Sequence, residues 1–278
     1  MSYKTILVHI DVNEQAAERI RIAIDIAKQN DAHLIGLAVS ATLVGPVIGA
    51  MDTMGTYALD LLEFQVKQAK DASLAFETIA AAAGLKSFES RIDARDAATA
   101  VRQHARYADL VIVGQTDKDT VSLSSPSNLP QCAVLETATP VLIVPYVGVY
   151  PSVGQHVFLL WNATAESARA ARDALPFLKG AKDVRVSVFD SKGGLLPSEQ
   201  KPDVDARHFF ARHGVKITMT QDSSDGDIGS AVLSRVADHG ADLIVMGGYG
   251  HSRLREWMLG GVSKTMLDHM TVPVLMSH

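Results

Sequence analysis

Short apolar runs alternate along this chain with longer stretches in which apolar residues recur at helical spacing. The runs from Thr5 to Ile10 and from Val157 to Trp161 are rich in β-branched and large apolar residues, which predicts a buried strand in each place. The stretch after each run carries apolar residues three and four positions apart, as on one face of a helix. These residues are Ile20, Ala23, Ile24 and Ala27 in the first stretch, and Ala168, Ala171, Leu175 and Leu178 in the second.

Each of these two strands is followed by a short polar side chain, Asp11 or Asn162. Asn13 and Thr164 come two positions later, and both residue types are good N-caps, so we expect them to start the helices. Pro176 is expected to kink or end the second helix early, because proline lacks the amide that would continue it.

A second pair of strands is predicted at residues 33–39 and 184–189. After the second strand, the first half carries an insertion at residues 41–62. We interpret this insertion as a surface loop or partner contact rather than a mobile flap. A long helix then runs to Ala83 with Gly84 as its C′ residue, whereas the second half has a shorter helix stopped by Gly214. Strands alternating with helices imply βαβ crossovers, and therefore parallel strands with helices on both faces.

The chain repeats itself. Residues 108–114 read ADLVIVG and residues 241–247 read ADLIVMG, and a Pro-Val pair follows each final glycine at the same distance. The chain therefore holds two copies of one domain. We place the first at residues 1–146 and the second at 154–278, joined by a short linker that contains Gly148 and Pro151 and shows no periodic pattern.

Composition excludes several classes of function. A length of 278 residues suits two domains, and a net charge of −5 with a pI of about 6.0 argues against broad contact with nucleic acid or a membrane surface. Cys132 is the only cysteine, so neither an internal disulfide nor a cysteine-based zinc site is expected, and we interpret it as inert core. The first residues form too short an apolar run for a signal peptide or membrane span, which predicts a cytoplasmic protein.

The glycine-rich segment after the strand at residues 241–247 carries the candidate chemistry. Gly247 and Gly250 are followed ten residues later by Gly260 and Gly261. Residues without Cβ let the backbone bend sharply and approach an anion closely, and the amides that open the next helix would point at that anion. This spacing, between a buried strand and a helix, favours a polyphosphate site over a simple turn.

These residues carry a resemblance to the universal stress protein family, whose nucleotide-binding members have Gly-x-x-Gly, nine residues, and then Gly-Ser or Gly-Thr. Gly247, Gly250 and Gly260 match this motif in register. The resemblance covers both halves of the chain. It implies two tandem Rossmann-like domains of the adenine nucleotide alpha hydrolase type. Each domain would have a five-stranded parallel sheet of order 3-2-1-4-5, and the two would pack through their last strands.

The resemblance also implies the ligand, ATP or ADP, with or without Mg²⁺. The acid that ends strand one of such relatives contacts the adenosine part, a valine in strand two touches adenine, and the glycine segment wraps the phosphates. In this chain those roles fall to Asn162, Val188, and Gly247, Gly250, Gly260 and Gly261 with the amides of Val262 and Ser263.

Two of these positions depart from the family pattern. Gly261 stands where Ser or Thr is expected, and Asn162 replaces the acid. A hydrogen bond to a charged group contributes about 1.5–3 kcal/mol. Losing the hydroxyl is therefore expected to weaken binding by roughly one to two decades and to leave a weaker site in the second domain.

The first copy keeps the acid, Asp11, but its phosphate loop is degenerate. Gly114 remains, and the later motif positions carry Asp117, Ser127, Asn128 and Pro130. A carboxylate facing the phosphates repels them, and a proline removes an amide donor. We expect a structural or protein-contact role for this half.

Rival motifs fail on inspection. The nearest approach to a Walker A loop, at residues 261–265, reads GVSKT, and a dinucleotide fingerprint starting at Gly248 has Arg253 in its last position. No Gly-x-Ser-x-Gly elbow occurs, and His208 and His213 lie off a common helical face, which argues against a metal pair. The charged residues of the helical stretch at 19–29 are interpreted as its solvent-facing side.

The predicted function is stress-linked sensing of one adenine nucleotide per chain, in the second domain. No acid–base pair at catalytic spacing is evident near the loop, so we expect no catalytic residues and at most a weak ATPase. Two alternatives stay open: a nucleotide-free interaction scaffold, and a different small ligand in the first domain. The two halves are expected to form an internal pseudo-dimer, with a homodimer as a further assembly.

Overall fold

The computed structural model describes residues 2–13, 15–40, 51–117, 128–191, 202–224, 227–249 and 261–278. The first repeat contains β1 Thr5–Ile10, α1 Ala16–Asn30, β2 His33–Val39, α2 Met51–Ala82, β3 Phe88–Asp93, α3 Ala97–His104, β4 Leu110–Gly114, α4 Leu129–Glu136 and β5 Val141–Val144. The second repeat contains β6 His156–Leu160, α5 Ala165–Asp173, α6 Leu175–Gly180, β7 Asp183–Ser191, α7 Pro202–Arg212, β8 Thr218–Ser224, α8 Ile228–Asp238, β9 Leu243–Gly247, α9 Gly261–His269 and β10 Val274–Ser277.

The chain divides into two compact units, one at Tyr3–Thr139 and the other built mainly from Pro140–His278. The division falls before β5, so the last strand of the first repeat belongs by its contacts to the second unit. The reason is that β5 pairs antiparallel with β10, with Leu142 opposite Leu275. The two final strands thus pair with each other, as the sequence predicts.

In the unit Tyr3–Thr139 the strands run in the order β3-β2-β1-β4, and every measured pairing is parallel. The central strand β1 has Ile6, Leu7 and Val8 fully buried. Strands covered on both faces are apolar throughout rather than alternating, which explains the continuous apolar runs of the sequence.

In the unit Pro140–His278 the order is β8-β7-β6-β9-β10, with β5 added beside β10. Numbered within the second repeat, this order is 3-2-1-4-5, as the resemblance implies. The five strands of the repeat pair in parallel, and only β5 runs antiparallel. The predicted α/β class is confirmed.

Helices cover both faces of each sheet. Helix α1 packs on α2, and α3 packs on α4. Because the crossovers are right-handed, the helices that connect β1, β2 and β3 lie on one face of the sheet. The helices that connect β3, β4 and β5 lie on the other face. The reversal of strand order beside β1, and likewise beside β6, opens the position at which ligands bind in open α/β sheets, at the carboxyl ends of the strands.

The local helix signals are partly confirmed. Thr164 caps α5, since its side chain accepts a hydrogen bond from the amide of Ser167 at 3.3 Å, and α5 ends at Asp173, shortly before Pro176. Asn13 is not the N-cap of α1, which begins at Ala16 without a side-chain cap. The Nδ2 of Asn13 instead donates to Asp11 at 2.9 Å.

Helix α2 fills most of the added length of the first repeat. It begins at Met51, so the second half of the insertion at 41–62 is helical and not loop, while residues 41–50 lie outside the described residues. Gly84 follows the helix with φ +70°, as predicted. No described helix combines the length and apolar character needed to cross a membrane.

Candidate functional site

The end of β6 presents Asn162 to solvent. Its Oδ1 accepts hydrogen bonds from the backbone N of Thr164 at 3.3 Å and from Oγ1 of Thr164 at 2.9 Å. The intervening Ala163 is held at φ +57°, so the chain turns sharply between strand and helix. Because Oδ1 is engaged in this turn, Nδ2 is the group that Asn162 has left to offer a ligand, as a donor.

The end of β9 lies directly against the first turn of α5. A Cβ placed on Gly247 would come within 2.7 Å of the carbonyl carbon of Glu166 and of the amide nitrogen of Ser167. Such a distance to backbone atoms leaves no room for a side chain. Glycine at this position is therefore required for packing, whether or not a ligand binds.

The first turn of α9 is open to solvent at Gly261, where an added Cβ would meet nothing within 4 Å. Ser263 is buried, and its Oγ accepts a hydrogen bond from the amide of Tyr249 at 3.4 Å. This bond ties the residues after β9 to the start of α9. The amides of Gly261, Val262 and Ser263 open the helix, where the positive end of its dipole favours an anion. Gly250 and Gly260 lie outside the described residues.

Val188 is 7 % exposed and lies in β7, at the register position beside Trp161, since Leu160 pairs with Ser187. In the first repeat Ile10, which precedes Asp11 as Trp161 precedes Asn162, pairs with Ala38, so Ala38 corresponds to Val188.

Trp161 is a candidate site residue that the sequence did not single out. Its ring packs edge-on against Phe210, with centroids 6.5 Å apart. Its Nε1 is buried and has no hydrogen-bond partner among the described residues. Buried indole N–H groups ordinarily find a partner, so this donor beside Asn162 is a candidate contact for a ligand. The signal available in the sequence is its position directly before Asn162 at the end of the strand.

His278 is a second neighbour that sequence reasoning missed. Its ring Nδ1 donates to the carbonyl oxygen of Gly248 at 3.0 Å, and the ring lies edge-on to Tyr249 at 6.5 Å. Parallel pairing of Ser277 with Gly247 places residue 278 beside the loop after β9. That pairing is a property of the sheet and leaves no local pattern in the sequence.

A half-buried carboxyl, that of Asp173 at the end of α5, lies beside the end of β10. Oγ of Ser277 donates to Asp173 at 2.8 Å, and burial raises the pKa of Asp173 against the lowering effect of that hydrogen bond and of Arg169 and Arg172. Among the described residues no group of three or more His, Cys, Asp and Glu side chains is arranged to hold a metal ion.

The family model of the universal stress proteins matches residues 2–145 and 163–278. The chain belongs to the universal stress protein family. A search of curated proteins found no match.

Solved structures show the same fold over the whole length. A universal stress protein from Archaeoglobus fulgidus DSM 4304 superposes with a TM-score of 0.72 at 16% identity, covering 98% of this chain and 95% of that one. A functionally unknown protein from Pseudomonas aeruginosa PAO1 superposes with a TM-score of 0.61 at 16% identity, covering 99% and 92%. At such low identity the comparison establishes the fold and nothing further.

The first repeat of this universal stress protein holds its strand-end acid in a buried ion pair. Oδ1 of Asp11 lies 2.9 Å from an Nη of Arg19, and both side chains are 2% exposed. Nε of Arg19 donates to the carbonyl oxygen of His9 at 2.8 Å. Burial acts to raise the pKa of Asp11, but the charges of Arg19 and His9 and the hydrogen bonds outweigh it and lower that pKa. The carboxylate is therefore already satisfied within the protein.

Arg19 also lies across the end of β4. A Cβ on Gly114 would collide with an Nη of Arg19, so the guanidinium occupies the space beside this glycine. The following helix α4 begins with Leu129 and Pro130, both buried.

A small cavity of about 10 Å³, roughly the volume of one water molecule, lies between the ends of β1 and β2 and helix α2. It is lined by Ile10, Asp11, Val12, Val39, Gln68, Ala69 and Ala72. The described parts of the two copies therefore differ. In the first, Arg19 engages Asp11 and the space beside Gly114, and in the second, the start of α9 is exposed at Gly261.

Proposed function

We propose that this universal stress protein binds one adenine nucleotide per chain, in the second repeat, and acts as a sensor of that ligand with slow or no turnover. The observation that carries the proposal is the first turn of α9, which is exposed at Gly261 and bonded through Ser263 to the residues that follow β9. The amides of this turn have no intrahelical partners and favour an anionic group.

The described residues suggest a role for each part of the ligand. The amides of Gly261, Val262 and Ser263 would face the phosphates, and Nδ2 of Asn162 would donate to a ribose oxygen. Val188 and Trp161 would contact the base, with the buried Nε1 of Trp161 as a donor to a ring nitrogen. An asparagine in place of an acid exchanges an acceptor for a donor, and both kinds of group pair with a sugar hydroxyl.

The contrast between the repeats supports one site rather than two. In the first repeat the acid is paired with Arg19, and α4 opens with a buried proline that has no amide to donate.

Paired variants at Gly261 test the proposal. We expect Gly261→Asp to weaken ATP binding on the order of a thousandfold, because like charges about 4 Å apart near a protein surface repel by about 4 kcal/mol. Gly261→Ser, the side chain usual in the family motif, is expected to strengthen binding roughly tenfold through one added hydrogen bond to a phosphate. Isothermal titration calorimetry of the full chain with ATP and ADP measures both.

The same position supplies the control for folding. Space is open around Gly261, and an acid in the first turn of a helix is favourable, so Gly261→Asp should unfold no more easily than the parent protein. Equal ATP affinity of the Asp variant and the parent would refute the phosphate position. Denaturing the purified protein and identifying the small molecules released separates a nucleotide sensor from the two alternatives, a ligand-free scaffold and a protein with a different ligand.

A further inference from the structure

Helix α2 carries an exposed apolar stripe. Leu59 is 54% exposed, Val66 38% and Leu74 65%. At about 100° per residue these three side chains lie within roughly 80° of one another, over a length of roughly 22 Å. Another face of the helix, centred roughly 115° away, is buried within the protein. Its residues are Ala69, Ala72, Phe76 and Ala80.

Two charges lie within this stripe. Glu63 and Lys70 are both exposed and project between the apolar side chains. Within the part of the chain that the structure describes, neither of them forms an ion pair. The stripe therefore holds one acid and one base, at equal distances from a point between Val66 and Lys67.

The order of these residues is self-complementary in one direction only. If a second copy of α2 lies antiparallel, with the two-fold axis between Val66 and Lys67, then Leu59 meets Leu74 of the second copy and Glu63 meets its Lys70. Val66 lies beside the axis. A parallel arrangement would instead put Glu63 against Glu63 and Lys70 against Lys70, which is repulsive.

We propose that α2 is the interface of a homodimer, in which two copies of the chain pack antiparallel along Leu59, Glu63, Val66, Lys70 and Leu74. A closed two-fold dimer requires a patch that matches itself, and this stripe meets that requirement in both its apolar residues and its charges. The inference stands apart from the nucleotide, because none of these residues belongs to the second repeat.

Other surfaces of the same unit are less suited to self-association. The edge strand β3 carries Glu89 and Arg91, which form an ion pair with each other, and His33 lies 3.7 Å from Glu89. Charged side chains along an edge discourage pairing with another strand. The counterpart of α2 in the second repeat, α7, has only 11 residues.

A stripe on one helix is smaller than a standard protein interface, so we expect a dissociation constant in the micromolar range. Analytical ultracentrifugation of the full chain over a wide concentration range measures it. Leu74→Lys should raise the dissociation constant at least tenfold, because a two-fold dimer contains the contact between Leu74 and Leu59 of the other copy twice. Phe64→Lys is the matched control, since Phe64 is 55% exposed on the same helix but lies outside the stripe.

The charge pair allows a sharper test. Glu63→Lys and Lys70→Glu should each weaken the dimer by placing like charges opposite each other, and the double variant should return toward the parent value. Asp71→Lys, an exposed charge outside the stripe, should leave the dimer unchanged. Thermal unfolding of every variant confirms that the fold is kept.

Three outcomes would overturn the interface: a parent chain that stays monomeric at high concentration, a dimer as sensitive to Phe64→Lys as to Leu74→Lys, or a double charge variant no tighter than the single variants.

Discussion

Arg19 is buried between the ends of β1 and β4, where it contacts Asp11 and the space beside Gly114. The sequence predicts that the charges of the first helix face solvent, yet Arg19 is 2% exposed and this part of the prediction is wrong. The helical pattern could not reveal it, since the guanidinium is held by groups at the end of β1, Asp11 and the carbonyl of His9, and contacts of this kind leave no periodic trace. Cys132, predicted as core, is only half buried; burial and Glu136 raise the pKa of its thiol.

Removing one partner of this buried pair should be costly. Arg19→Met leaves the Asp11 carboxylate buried without its cation, so we expect a loss of about 3–5 kcal/mol in the free energy of unfolding at pH 7. The double variant Arg19→Met with Asp11→Asn removes both charges and should recover most of that loss. Urea unfolding of the parent, the single and the double variants measures both effects.

The same pair predicts a pH dependence. The folded protein holds the pKa of Asp11 below its unfolded value of about 4. The pair therefore stabilises the protein above about pH 4, and this contribution is lost as the pH falls toward the folded pKa. The difference in the free energy of unfolding between the parent and Arg19→Met should therefore narrow from pH 7 to pH 3. A gap that stays constant over this range would mean that the ion pair is not what Arg19 contributes.

At the scale of elements, the strands and helices follow the sequence closely because their faces are buried. The predicted strands at 5–10 and 33–39 coincide with β1 and β2, and the two glycines expected after helices, Gly84 and Gly214, both have positive φ. The start of α1 is less predictable, since Asn13 is a residue type that often caps helices, but its side chain forms a hydrogen bond with Asp11 instead. Trp161 and His278 were missed because their places depend on strand register.

Two glycines of the candidate site should respond oppositely to alanine. At Gly247 the added methyl group meets backbone atoms of α5 at 2.7 Å, so Gly247→Ala should destabilise the protein by about 1–3 kcal/mol. At Gly261 the space is open and alanine favours helix, so Gly261→Ala should be neutral or stabilising by up to about 1 kcal/mol. Chemical denaturation compares the two variants. An equal change in the free energy of unfolding for the two variants would show that β9 and α5 have room for a methyl group between them.

At the scale of the whole molecule, the sequence repeat and the compact units do not share a boundary. Symmetry between ADLVIVG and ADLIVMG locates the copies, but it cannot show that β5 contributes to the second unit, because that depends on the pairing of two chain segments more than a hundred residues apart. The first range that the family model matches ends at residue 145, close to where the first copy of the sequence repeat ends, whereas the contacts divide the chain before Pro140.

A fragment of residues 154–278 lacks β5 and should therefore associate. Val274, Leu275 and Met276 are fully buried in the intact chain, and without β5 one edge of β10 is left unpaired. We expect dimers or larger aggregates by sedimentation velocity. A peptide of residues 139–146 should pair with β10 as the missing strand and convert the associated fragment into monomers. A scrambled peptide of the same composition serves as control, and a fragment that stays monomeric at high concentration alone would contradict the prediction.

The contacts of Arg19 with Asp11 and with the space beside Gly114 bear on how this protein could report a change in ligand concentration. On the proposed function, one chain has one site, and a single site saturates hyperbolically however tightly it binds. A steeper response requires at least two sites whose affinities depend on each other. On the same proposal the first repeat holds no nucleotide, so the second site of such a system would come from another chain. The sharpness of any signal would then be set by association between chains and by the protein's own concentration.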